Sequence, residues 1–208
     1  MSKYPVVGIV MATLLEADPF IGGLSLRPCE KNPFPVYENK RIRLIISGIG
    51  KANAAMASAC LILKFQPLGV LNLGAAGSTY MKPLGECYHI TKVIEPDRPD
   101  LKSGEFHVHV PQAFDGFRTA TLATRDKPVT DDLERREVSL YAQLADMEGA
   151  SVVQTCERFH TECYLFKFVS DSSNDDECLD IKKNIEQYRD AFYKFFCDSV
   201  LPCLMFDV

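Results

Sequence analysis

The sequence predicts an α/β domain whose sheet is covered by helices on both faces. Apolar runs of strand length alternate with helical patterns along the 208 residues. The early runs are apolar at consecutive positions, as strands buried on both sides are. A composition of 47% hydrophobic and 25% charged residues is that of an ordinary globular domain. We expect a single domain spanning residues 1–208.

Val6–Ala12 opens the series as a strand. The apolar run to Leu15 behind Lys3 has the look of a signal-peptide core, but Glu16 and Asp18 follow at once and no small-x-small cleavage site appears. The run is also too short to cross a bilayer. Arg41–Ser47 is a second strand. Ala52–Phe65, rich in Ala and Leu, is a helix ended by Pro67. Val70–Leu73 is a short strand running into a small-residue turn, Gly74-Ala-Ala-Gly77-Ser78. Cys87–Glu95, Phe106–Val110 and Ala120–Thr124 continue as strands, the second by alternation of Phe106, Val108 and Val110 with His107 and His109. Around it, Pro96–Phe117 is the one long irregular stretch, a surface excursion. Asp131–Tyr141 is a polar helix, Gly149–His160 a helix and Tyr164–Ser170 a strand. Asp180–Leu201 closes the chain as a long amphipathic helix, with Tyr188, Phe192, Phe195 and Phe196 facing the core or an oligomer contact. Asp175, Asp176 and Glu177 form a solvated acidic loop.

Net charge excludes some functions. With 23 Lys and Arg against 28 Asp and Glu, there is no basic stripe for nucleic acid. No segment reads as membrane-spanning, so a cytoplasmic protein is expected. The eight cysteines contain no C-x-x-C pair, and the four histidines show no ligand spacing. Buried reduced thiols are therefore expected, with no metal site and no cofactor.

Ligands of such sheets bind at the carboxyl ends of strands. Polar groups collect after the apolar runs at Glu16, Ser47–Lys51, Gly74–Ser78, Met147-Glu148 and Ser170-Asp171. Ser47-Gly-Ile-Gly50-Lys51 suits either backbone approach to an oxygen-rich group or a tight turn with a helix cap. It is neither a P-loop nor a dinucleotide fingerprint. Glu16 can orient a water or simply favour a helix start from an exposed position. Met147 beside Glu148 offers an apolar surface next to a bidentate acceptor, or a pair of acids with Asp146 at a helix start. Asp171, at the end of a strand beside Ser170, suits a general acid or an N-cap.

Taken together and in order, these blocks resemble the nucleoside phosphorylase superfamily, and within it the 5′-methylthioadenosine/S-adenosylhomocysteine nucleosidase branch. The matching residues are Val7-Gly8-Ile9-Val10 with Glu16, Ser47-Gly-Ile-Gly-Lys51 with Asn53-Ala-Ala55, Asn72-Leu-Gly74-Ala-Ala-Gly77, Met147-Glu148-Gly149-Ala150 and Phe168-Val-Ser170-Asp171. The resemblance implies a three-layer αβα fold with a central mixed sheet, a homodimer, and a small-molecule nucleoside as substrate. It implies that Asp171 protonates N7 of a departing adenine, that Glu16 positions the attacking water, and that Glu148 holds the ribose hydroxyls over Met147. Ser170, Ala75, Ala76, Gly77, Val129 and Lys167 would complete the substrate site. Lys167 stands where the nucleosidases have arginine, Ala75 where they have serine, and Pro128 where an aromatic stacks on the purine. Met11-Ala-Thr-Leu-Leu-Glu16 lacks the arginine with which the phosphorylases hold phosphate, and a carboxylate there suits water. Asp171, not Asn, suits a 6-aminopurine. Hydrolysis of an adenine nucleoside or thionucleoside is thus expected, with a phosphorylase or a non-catalytic nucleoside-binding protein as alternatives.

Overall fold

The computed structural model describes residues 6–172 and 180–204, and the acidic run Asp175-Asp176-Glu177 lies outside them. The strands are β1 (Val7–Met11), β2 (Arg27–Glu30), β3 (Val36–Glu38), β4 (Ile42–Ile46), β5 (Gly69–Ser78), β6 (Cys87–Pro99), β7 (Phe106–His109), β8 (Thr119–Thr124), β9 (Leu144–Asp146) and β10 (Glu162–Asp171). The helices are α1 (Leu14–Gly23), α2 (Lys51–Phe65), α3 (Asp132–Ser139), α4 (Gly149–Arg158) and α5 (Ile181–Phe195). One mixed sheet runs β10-β6-β8-β9-β5-β1-β4-β3-β2, with β7 beside β6. Because β10 also pairs with β5, the strands from β10 through β9 to β5 close on themselves.

Helices cover both faces, as the alternating pattern requires. In β1, Val10 points to one side and Ile9 and Met11 to the other, the period-2 geometry of a strand. On the Val10 side, α2 and α4 contribute Ala57, Leu61, Val152 and Cys156. On the other, α1, α5 and the π turn after it bring Phe20, Phe192 and Phe196 over Phe166 and Phe168. The Phe20 ring meets those of Phe192 and Phe196 at 5.8 and 5.3 Å. Burying each such ring contributes about 1.5–3 kcal/mol, which is why the aromatic residues of the last helix face inward.

Several elements depart from expectation. The small-residue segment Gly74–Ser78 is not a turn: it extends β5, pairing Ala75 and Ala76 with Phe168 and Val169 and Gly77 with Asp171. Within Pro96–Phe117 the expected strand is present as β7, and the stretch is shorter than expected only because β6 runs on to Pro99. Helix α1, with Pro19 inside it, and strands β2 and β3 add to the expected elements. The last helix ends at Phe195 and gives way to a π turn, Phe196–Val200, and a 3₁₀ turn. Among the described cysteines none is paired; Cys156 and Cys163 are buried, but Cys29 and Cys203 are exposed. No described helix is long and apolar enough to cross a membrane.

In β7 only His109 is buried: Phe106 and Val108 are 39% and 49% exposed, and His107 is exposed as well. Electrostatics explains why a histidine is the buried residue. His109 Nε2 lies 3.1 Å from Glu95 and Nδ1 lies 3.2 Å from Glu157. The hydrogen bond to Glu95 raises the His109 pKa above 6.5 despite burial, with Glu157 assisting. Burial alone would raise Glu95, but His109, Arg98 and Lys51 outweigh it and hold that carboxyl at about 2. A raised histidine stabilises the fold fully below its unfolded value and loses that contribution as pH rises through the folded one. His109→Gln should therefore cost about 1–3 kcal/mol at pH ~5.5 and progressively less at alkaline pH, read as a gap in Tm between variant and wild type that closes as pH rises.

Candidate active site

The ends of β1, β5, β9 and β10 meet the starts of α1, α4 and α5 around one cleft. Glu16, Ala75, Ala76, Gly77, Val129, Met147, Glu148, Ser170 and Asp171 all line it. Asp146, Ile49, Pro128 and Ile185 join them. Lys167, expected at the substrate, does not reach the cleft: it is buried behind it.

Glu16 occupies the third position of α1 and closes a capping box. Thr13 N–H and Oγ1 donate to Glu16 Oε2 at 3.1 and 2.7 Å, and Glu16 N–H donates to Thr13 Oγ1 at 3.3 Å. The bland reading of an exposed helix-start Glu is half right, because Glu16 does cap the helix but is buried. Its Oε1 turns to the sheet and accepts from Ala75 N–H at 2.9 Å. A Cβ at Gly74 would sit 2.6 Å from that oxygen. The glycine therefore makes room for a carboxylate laid against β5, and Ala75 meets it through its backbone.

Glu148 is the N-cap of α4 but makes no side-chain cap. Asp146 does that work, accepting Gly149 N–H on Oδ2 at 2.9 Å and Thr124 Oγ1 on Oδ1 at 2.6 Å. Glu148 Oε1 instead receives Gly50 N–H at 2.8 Å. Gly50 has φ +101°, a backbone that side chains rarely adopt, so the Ser47–Lys51 loop uses its glycine to aim an N–H at this carboxylate. Lys51 points away, to Asp97 and Glu95.

Lys167 Nζ lies 2.9 Å from Asp146 Oδ2. Burial opposes its charge, but Asp146 and Glu148 more than compensate and raise its pKa. Glu148 is pushed up to about 7, by burial first and by Asp146 next, against the pull of Lys167 and of the Gly50 N–H. The lysine is thus the counter-ion of the acidic floor, a role that needs charge but not the fork of an arginine.

Asp171 ends β10, where the register with β5 shifts between Val169 and Asp171. Such a bulge re-aims a side chain, and the carboxylate lies over Gly77, whose Cβ would come 2.8 Å from Oδ2. Ser170 Oγ donates to Asp171 Oδ1 at 2.7 Å. Arg135 of α3 donates through Nη2 to Oδ2 and through Nη1 to Ser78 O. Sequence reasoning missed Arg135 entirely: in Glu134-Arg135-Arg136-Glu137 nothing separates it from its neighbour, and only the tertiary fold buries it.

The arrangement gathers four carboxylates, Glu16, Asp146, Glu148 and Asp171, on one hollow, and no lysine or arginine lines it among the described residues. Chemically it can stabilise positive charge that develops on a ligand, and it disfavours an anionic co-substrate. No group of three or more His, Cys, Asp or Glu among the described residues is placed to hold a metal ion.

A family model described as the phosphorylase superfamily matches residues 7–115. The chain is 27% identical over 179 residues to the 5′-methylthioadenosine/S-adenosylhomocysteine nucleosidase of Bacillus velezensis, covering 73% of this chain and 77% of the relative. It is 24% identical over 166 residues to the aminodeoxyfutalosine nucleosidase of Campylobacter jejuni, covering 68% and 72%. Among solved structures, the Helicobacter pylori 5′-methylthioadenosine/S-adenosylhomocysteine nucleosidase with butyl-thio-DADMe-Immucillin-A matches with a TM-score of 0.83 at 20% identity, over 96% of this chain and 99% of that one. The apo 5′-methylthioadenosine nucleosidase of Arabidopsis thaliana matches with a TM-score of 0.85 at 18% identity, over 98% of each.

Proposed function

This chain belongs to the phosphorylase superfamily, and from that premise we propose that it is a nucleosidase, hydrolysing the N-glycosidic bond of an adenine nucleoside or thionucleoside such as 5′-methylthioadenosine or S-adenosylhomocysteine. The observation that carries this reading is the cleft itself: four carboxylates on its lining and, among the described residues, no cation there to receive phosphate. The named relatives support the same class of substrate.

Cleavage breaks C1′–N9 with the electron pair leaving on the base. Positive charge grows on the sugar and negative charge on the purine. Glu148 accepts the ribose hydroxyls above Met147. Glu16 orients a water, whose oxygen bonds to C1′ while its proton passes to the carboxylate. Asp171 gives its proton to N7, so the base leaves neutral, and Val129 and Pro128 flank the ring. The test is base release from 5′-methylthioadenosine, S-adenosylhomocysteine, adenosine and inosine, with and without phosphate. Adenine released at a phosphate-independent rate, with a free sugar as product and inosine turned over poorly, is the expected result. Dependence on phosphate with a sugar phosphate as product would make the protein a phosphorylase, and tight binding without release a binding protein.

Glu148 must be ionised to place negative charge beside the developing sugar cation while it accepts hydrogen bonds from the hydroxyls, and its carboxyl is pushed up to about 7. Hence kcat/KM should fall about tenfold per pH unit below about 7, and Glu148→Gln should flatten that limb.

The same reading includes a homodimer. Ile49, which lines the cleft, continues along exposed Met56 and Leu63 on one side of α2. Met56→Asp should convert a sedimenting dimer to a monomer; an unchanged sedimentation coefficient would count against this face.

A further inference from the structure

We propose that Arg135 is a positioning residue of the reaction and acts through Asp171, an inference that rests on the nucleosidase reading above. Three observations carry it. Arg135 is 2% exposed, a rare setting for an arginine, and it reaches the site from α3, an element that contributes nothing else charged to Asp171. Its two terminal nitrogens bridge the ends of the paired strands: Nη1 donates to Ser78 O on β5 at 2.6 Å, and Nη2 to Asp171 on β10. The bridge falls beside the register shift between Val169 and Asp171, where the pairing of the two strands is irregular.

Geometry and charge then act together. Ser170 holds Oδ1 and Arg135 holds Oδ2, so the carboxyl group is fixed in rotation against Gly77. Each oxygen keeps one direction for the base: one carries the proton toward N7, and the other can accept from the exocyclic amine. When the Asp171 proton passes to N7, the aspartate is left as an anion in a dry site. The guanidinium already in place stabilises that anion without reorganisation. Arg135 does not line the cleft, so it should affect the chemical step more than substrate binding.

A double-mutant cycle tests this, with Arg135→Lys as the variant that keeps the charge. Lysine cannot make both bonds, because a point charge replaces a fork. Arg135→Lys should keep a Tm within a few degrees of wild type and KM within about threefold, while kcat drops about 10²-fold, the cost of a misplaced reacting group. The neutral pair Arg135→Met with Asp171→Asn removes both buried charges and should fold. It should turn over no more slowly than Asp171→Asn alone, because Arg135 has then lost the group through which it acts. A lysine variant with near-wild-type kcat, or a further slowing by Arg135→Met in the Asp171→Asn background, would overturn the proposal. Should the wild type release no base from any nucleoside, the nucleosidase reading fails on its own. The cycle is then read as adenine affinity by calorimetry: non-additive losses uphold the coupling of Arg135 to Asp171, and additive ones reject it.

Discussion

Asp171→Asn should slow adenine release by about 10²–10⁴-fold at saturating substrate, the range for losing a general acid. The amide keeps the shape of the carboxyl and still offers one oxygen to Ser170 or Arg135, but it has no proton to hand to N7. The substitution also strands the Arg135 guanidinium. Breaking a buried pair from one side costs about 3–5 kcal/mol, and the residual amide acceptor should keep the loss below that range. Rate and stability must therefore be read together: kcat from stopped assays, and the folded fraction from circular dichroism at the assay temperature. A folded variant with wild-type turnover would remove Asp171 from the chemistry.

Glu148→Gln should lower kcat/KM by about 10²–10³-fold, comparable to removing one preorganised electrostatic group from an active site. The carboxylate faces the Gly50 N–H, and charge near the sugar is what a developing cation needs. Glutamine keeps one acceptor but loses the charge, and its amide group must avoid pointing a donor at Gly50. The loss should appear in kcat as well as KM, because the cationic sugar exists only on the way to product. A change confined to KM would mean that Glu148 only binds hydroxyls.

The layers were legible in the sequence because burial on both faces leaves apolar runs, as in Val7–Met11 and in Tyr164–Val169, interrupted only at Lys167. The carboxylates at strand ends were legible for a related reason. A polar group that closes an apolar run stands out, as Asp171 does after Phe168-Val169. What escaped reading was decided by tertiary contact. Gly74–Ser78 has the propensity of a turn, yet it is strand, because it pairs with the end of β10, and its glycines leave room for the Glu16 and Asp171 carboxylates. Lys167 looked like a substrate contact, and only the fold shows Asp146 intercepting it. Phe106 and Val108 alternate as a buried face would, but both are exposed, and the one buried residue of that strand is His109, paired with Glu95. Arg135 carried no local signal at all, since a helix rich in charge hides the one charged residue that turns inward beside Val138.

The most direct measurement is a crystal structure of the protein with adenine. The base should lie in the cleft with its N7 edge on Asp171, flanked by Val129, and with N9 directed toward the space between Glu16 and Glu148. Adenine seated with N9 toward Asp171, or bound away from these three carboxylates, would contradict the assignment of the site.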